Sequence, residues 1–248
     1  MLEIDLARLR ANSAVGPLLS ALQPSGIARP DLFSAASLLV ICSYRVGESD
    51  AGQIVFAAGA EVERLPGARV LEEDLVALGP PALLDRVDLV RAGAAPPLRA
   101  DRALLRVRAL AMPERAPGAS VRMAARFGFD GRIALARRLE LEIVPAWLSL
   151  WADVADDLAA VALLGGDGAG DAHELARAAI RLRERVAASA PARRLGLGRI
   201  AAQSDVDVKG DEVRVALVVG PRRLGRLVAL VLTRLRAPEP DGKEEKEP

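Results

Sequence analysis

Residues 146–164 read AWLSLWADVADDLAAVALL and are followed by GGDGAGD (165–171), HELARAAIRLRERVAASA (173–190) and SDVDVKGDEVRVALVVG (204–220). In the first strand of this stretch, Trp147, Ser149 and Trp151 fall on one face and Leu148 and Leu150 on the other. Asp153, Asp156 and Asp157 lead into a second strand, LAAVALL. The glycine-rich break ends in Asp171 with Glu174, a capping-box pattern, and predicts a long helix with Leu175, Ala179, Leu182 and Val186 as its apolar stripe. Asp205 and Asp207 then alternate with Val206 and Val208. Lys209-Gly210-Asp211 turns the chain, and Val213, Val215, Leu217 and Val219 form the return strand. Hairpins outnumber strand–helix–strand crossovers. The predicted fold class is therefore α+β, with mostly antiparallel sheets and helices packed on one side.

The remaining chain reads the same way. Leu2, Ile4 and Leu6 alternate with acids as a strand, and ANSAVGPLLSALQ reads as a helix capped by Asn12 or Ser13 and stopped at Pro24-Ser25-Gly26. SLLVICSYRV and GQIVFAAGAEV form a predicted hairpin around residues 47–52, and ARVLEEDLVALG continues the strand pattern. Pro80-Pro81 opens a helix that ends before Gly93. The segment 94–100 is a connector, ALLRVRALAM reads as a strand stopped by Pro113, and SVRMAARFG and GRIALARRLELE read as two short helices. Pro221 starts a last helix packing through Leu224, Leu227, Val228, Val231 and Leu235. Sub-domains at 1–93 and 101–236 are predicted, with a disordered polar tail at 237–248. The halves share a similar order of elements, so an internal duplication is one reading of the chain.

Composition narrows the function. Of 248 residues, 51% are hydrophobic and 27% charged, a globular balance. A net charge of +1 and an aromatic content of 3% give no footing for nucleic acid. Only Lys209, Lys243 and Lys246 are lysines, an arginine bias that fits a GC-rich genome. The single cysteine, Cys42, reads as a small buried hydrophobe and forms no internal disulfide. No apolar run has the length of a membrane span, and MLEIDLARLR lacks a signal core.

Catalytic chemistry is poorly supplied. The one histidine, His173, sits in the first turn of the long helix and reads as an exposed helix-start residue. One histidine and one cysteine make no metal cage, and no cofactor is expected. GGDGAGD lies where a phosphate loop would, but it lacks the Gly-Lys-Ser/Thr ending and places two acids where phosphate would bind. Calcium at Asp167 and Asp171 would lack the EF-hand spacing. The pairs Arg137-Arg138, Arg193-Arg194 and Arg222-Arg223 read as solvated helix-end charges. Carboxylates remain: Asp205, Asp207 and Asp211 line the last hairpin, and Asp153, Asp156 and Asp157 would have to converge with Asp205 or Asp207 for glycoside chemistry, with Trp147 and Trp151 stacking a sugar. The two tryptophans are the candidate ligand-binding residues.

The opening EIDLARLRANSAVGPLL and the late series WADVADDLAAVALL, VDVKGDEVRVALVV and PRRLGRLVALV resemble uncharacterised exported proteins, often lipoproteins, of GC-rich, myxobacteria-like bacteria. That resemblance implies a place in the periplasm or cell envelope if a signal peptide has been removed; otherwise the chain is expected in the cytoplasm. The expected function is a non-enzymatic binding or structural component that contacts a ligand, a protein partner or a second copy of itself. The alternative is a carboxylate-based hydrolase or a carbohydrate-binding protein using the Trp147/Trp151 strand.

Overall fold

The computed structural model describes residues 1–22, 30–44, 51–97, 101–110, 118–168, 170–194 and 196–236. In chain order the first half holds β1 (Leu2–Asp5), α1 (Leu6–Ala11), α2 (Gly16–Leu22), α3 (Pro30–Ala35), β2 (Leu38–Tyr44), β3 (Gly52–Ala58), a 3-10 turn at Val62–Arg64, β4 (Arg69–Glu72), β5 (Leu75–Leu78) and α4 (Pro81–Arg91). After α5 (Arg102–Leu110) the second half follows as β6 (Val121–Arg126), α6 (Phe129–Leu139), β7 (Trp147–Val154), β8 (Leu158–Gly165), α7 (Asp171–Ala188), α8 (Ala190–Arg194), α9 (Leu197–Ala202), β9 (Asp205–Lys209), β10 (Glu212–Val219) and α10 (Pro221–Arg236).

The ten strands among the described residues join one sheet, ordered β4-β5-β3-β2-β1-β6-β7-β8-β10-β9, and every pairing in it is antiparallel. The fold class is α+β. Counted outward from the β1–β6 junction, each half runs first, second, third, fifth, fourth strand. The two halves thus share one topology, and the sheet passes unbroken across the proposed boundary between residues 93 and 101. The terminal strands are short and carry charge, Arg69 and Glu72 on β4 and Asp205, Asp207 and Lys209 on β9, which discourages edge-to-edge pairing. In the last hairpin Gly210 takes φ 61° at the first central position, where a left-handed backbone favours glycine.

Alternation assigns each side chain to a face. Ile4, Leu39, Ala57 and Val76 lie in one row across the first half, and Leu148, Leu164, Val213 and Val208 in one across the second. This front face is covered except at the β9 edge, where Val208 is exposed: Leu6, Leu32 and Val62 cover its first half, Leu175 and Ala176 of α7 and Leu224 and Val228 of α10 its second. The back face carries α4 and α5. Leu84 of α4 packs against Ile54 and Ala77, and α5 lies across β6 and β7 with Val107 buried. Topology dictates this. The chain leaves β5 next to one edge and must re-enter at the central β6, so it crosses back over the sheet, using α4 and α5 on the face left open.

Several local expectations are corrected. Residues 103–110 are helical, not a strand: Asp101 Oδ1 accepts from the Leu104 amide at 2.9 Å, a capping contact, and Ala and Leu propagate the turn. The SVRMAARFG segment is strand β6, not a helix, because Val121 and Met123 face the front core while Arg122 and Arg126 face the back. Asn12 ends α1 and accepts from the Ala14 and Val15 amides at 2.9 and 3.0 Å, forming a turn rather than opening a long helix. Asp171 is the first residue of α7 and does not form the capping box. The α7 seam runs through Ala172, Leu175, Ala176 and Ala178, leaving Val186 exposed. The turns at 24–26 and 47–50, the stop at Pro113, the side chain of Leu235 and the tail 237–248 lie outside the described residues.

Candidate functional site

The two crossover helices do not cover the back face evenly. α4 stands over β3, β4 and β5, and α5 over β6 and β7, so the back face of β2 between them is left as the floor of a groove. Val40, Cys42 and Tyr44 rise from β2, and Ile54 and Phe56 from β3. Leu71 and Leu75 close one side, and α4 supplies Leu83, Val87 and Val90 as the wall. The groove holds about 1010 Å³, at the upper end of the roughly 300–1,000 Å³ of small-molecule sites. Its only charged lining residues among those described are Arg86 and Arg91. At the end of the hairpin, Tyr44 lies over Gly52, where any Cβ would collide with the phenol ring. Cys42 is half-buried in the floor. Burial pushes its thiol up, the N-terminal ammonium opposes this, and nearby Glu3 reinforces it; the net direction is up.

The residues singled out from the sequence lie elsewhere. Trp147 and Trp151 share the back face of β7, with Ser149 fully buried between them. Trp151 is only 8% exposed, packed with Ala119, Ala159 and Leu163, and its ring N–H has no hydrogen-bond partner among the described residues. Trp147 is half-buried and lies flat on its cross-strand neighbour Gly165, beside a smaller cavity of about 390 Å³ lined by Arg106, Arg126, Asp167 and Glu212. As placed, the two rings do not form one exposed platform. Trp147→Phe is expected to leave blue, acrylamide-resistant emission, and Trp151→Phe to leave a quenchable ring. Adding Gly165→Ala to Trp151→Phe should make Trp147 more quenchable still, by lifting the indole off the strand. Equal quenching of the two single-tryptophan variants would contradict this placement.

The acids do not converge. Asp153 Oδ1 and Oδ2 accept from Arg8 Nε and Nη2 at 2.8 and 2.6 Å, and Ser120 Oγ donates to Oδ1 at 2.9 Å. Asp156 is exposed in the β7–β8 turn, while Asp205 and Asp207 are on the edge strand β9. No group of three His, Cys, Asp or Glu side chains is placed to hold a metal among the described residues. In GGDGAGD the anion position is occupied by the chain's own carboxylate: Asp171 Oδ2 accepts from the Asp167 and Gly168 amides at 3.0 and 3.2 Å. Asp167 pairs with Arg132 at 2.5 Å. His173 is exposed in the first turn of α7, and all six residues of the arginine pairs are exposed. No helix among the described residues is long and apolar enough to cross a membrane.

The groove was missed from the sequence. Its one local signal is the placement of Val40, Cys42 and Tyr44 on the same side of β2, beside a helix with a two-ridge apolar face. No protein-family model matches the chain, and no curated protein does. Among solved structures, crystal form III of TP0453 is similar with a TM-score of 0.46 and 10% identity, over 94% of this chain and 93% of that one. Crystal form I of TP0453 gives a TM-score of 0.44 and 10% identity over 95% and 93%. Likeness at this level assigns neither a family nor a function.

Proposed function

We propose that this chain is a non-enzymatic binding component that holds an elongated apolar small molecule in the groove between α4 and the back face of the sheet. On the resemblance carried by its opening and late segments, we place its action in the bacterial cell envelope. The observation that carries the reading is the groove itself: an apolar floor and wall of ligand size, left open by the crossover. The engagement of Asp153 by Arg8 and Ser120, and the position of Asp205 and Asp207 on an edge strand, favour binding over the hydrolase alternative.

The neutral dye 1-N-phenylnaphthylamine tests this. Saturable, blue-shifted binding is expected, together with protection of Cys42 from N-ethylmaleimide, since Cys42 is the only cysteine and lies in the floor. Val90→Trp places an indole in the groove and should weaken the dye about tenfold or more. Leu89→Trp, at a residue 49% exposed that does not line the groove, should leave binding unchanged. Absence of saturable binding, or binding indifferent to Val90→Trp, would overturn the reading.

A further inference from the structure

We infer that the occupant of the groove is a single-chain anionic amphiphile, its carboxylate held by Arg86 and its acyl chain laid over β2 and β3. This rests on the groove being a ligand site and adds the chemistry of the ligand. α4 sorts its charges by ridge. Asp85 and Asp88, three residues apart, turn toward β4, where Arg69 Nη1 bonds them at 3.1 and 2.7 Å. The opposite ridges, Ala82-Arg86-Val90 and Leu83-Val87-Arg91, face the groove.

The two arginines on these ridges differ. Arg91 Nη2 donates to the Leu71 carbonyl at 2.7 Å and so ties the end of α4 to β4. Arg86 is exposed and has no carboxylate or carbonyl partner among the described residues. No acid lines the groove among those residues. Glu3, which faces the same side from β1 opposite Val40, is neutralised by Arg108, whose Nε and Nη2 reach its two oxygens at 2.5 and 2.9 Å. An apolar trough whose wall, among the described residues, carries one guanidinium without an acid partner suits a long apolar body with one anionic end. A carboxylate matches the guanidinium fork, whereas a cationic head would be repelled. Each buried methylene adds to affinity, so binding should rise with chain length.

Displacement of the bound neutral dye by palmitate, hexadecanol and hexadecyltrimethylammonium tests the inference. Palmitate is expected to compete about three- to tenfold better than hexadecanol, with the cation weakest. Arg86→Gln should abolish the difference between palmitate and hexadecanol, both read as displacement relative to that variant's own dye affinity, and Arg86→Lys should keep part of it. Equal competition in the unaltered protein, or a preference that survives Arg86→Gln, overturns the anionic assignment and leaves the groove reading standing. Failure of the dye to bind removes both. Co-sedimentation with phosphatidylglycerol vesicles that is weakened by Arg86→Gln but untouched by Val90→Trp would place the anion on a membrane surface, and would also overturn the inference.

Discussion

Leu39→Ala is expected to destabilise the fold by about 2–5 kcal/mol, whereas Val40→Ala, one residue on, should cost less than about 1.5 kcal/mol. The two side chains point to opposite faces of β2. Leu39 is 1% exposed in the front core, between Ile4 and Ala57 on the flanking strands and near Leu32 of α3. Its neighbours are held by backbone elements on every side, so removing three carbons leaves a cavity that does not collapse. Val40 faces the groove, which is already open, and losing two methyls there creates no new enclosed void. For a chain of this length, about 2–4 °C per kcal/mol applies, so Leu39→Ala should lower the melting temperature by roughly 4–20 °C. Paired urea and thermal melts measure both variants. Equal costs at the two positions would mean that the assignment of front and back faces is wrong.

That contrast also bears on what the sequence revealed. β7 and β10 are legible from alternation over eight residues, and β8 as a short continuous apolar run bounded by the acidic turn before it and the glycine cluster after it. β6 failed for the opposite reason. It has six residues, two of them alanine, and alanine fits either period. α5 was misread because Leu105, Val107 and Ala109 happen to alternate with arginines. Asp101 as an N-cap ahead of a run of good helix formers was the available counter-signal. The shared strand order of the halves was visible only as a similar sequence of elements, since the pairing that defines it is long-range.

The groove was less legible than the fold. Each wall is an ordinary piece of sequence, an apolar strand or an amphipathic helix, and nothing local says that α4 and α5 part above β2. The path of the crossover decides that, together with the fact that α5 is drawn to Glu3 through Arg108, 105 residues away in sequence. The conspicuous features drew attention instead. Paired tryptophans, clustered aspartates and a glycine-rich loop look like chemistry, but in the fold Trp151 is packed, Asp153 is clamped by Arg8, and Asp171 caps its own loop.

The clamp yields the other large expected effect. Asp153→Ala should cost about 1–3 kcal/mol, and the loss should be far smaller in an Arg8→Ala background. Arg8 belongs to α1, whose first turn is fixed by Asp5: its carboxylate accepts from the Arg8 amide at 2.8 Å, and its own amide donates to the Ser120 carbonyl at 2.9 Å. The guanidinium then spans 145 residues of sequence to bind both oxygens of Asp153, whose side chain is 16% exposed. Asn12 adds bonds from its side-chain amide to the carbonyls of Val154 and Ala155, so the end of β7 is held against the first half of the chain. Burial alone would push the Asp153 carboxyl up. The bonds from Arg8 and Ser120, the Arg8 charge and the Val154 amide outweigh it, and the net direction is down. A carboxyl lowered on folding contributes stability that is fully present above its unfolded value of about 3.9 and is lost as pH falls through the lower folded value. Urea midpoints followed from neutral pH downward should therefore converge for the unaltered protein and Asp153→Asn at the acid end, and separate above about pH 4. A gap that stayed constant across that range would mean that Asp153 contributes through packing and not through its charge.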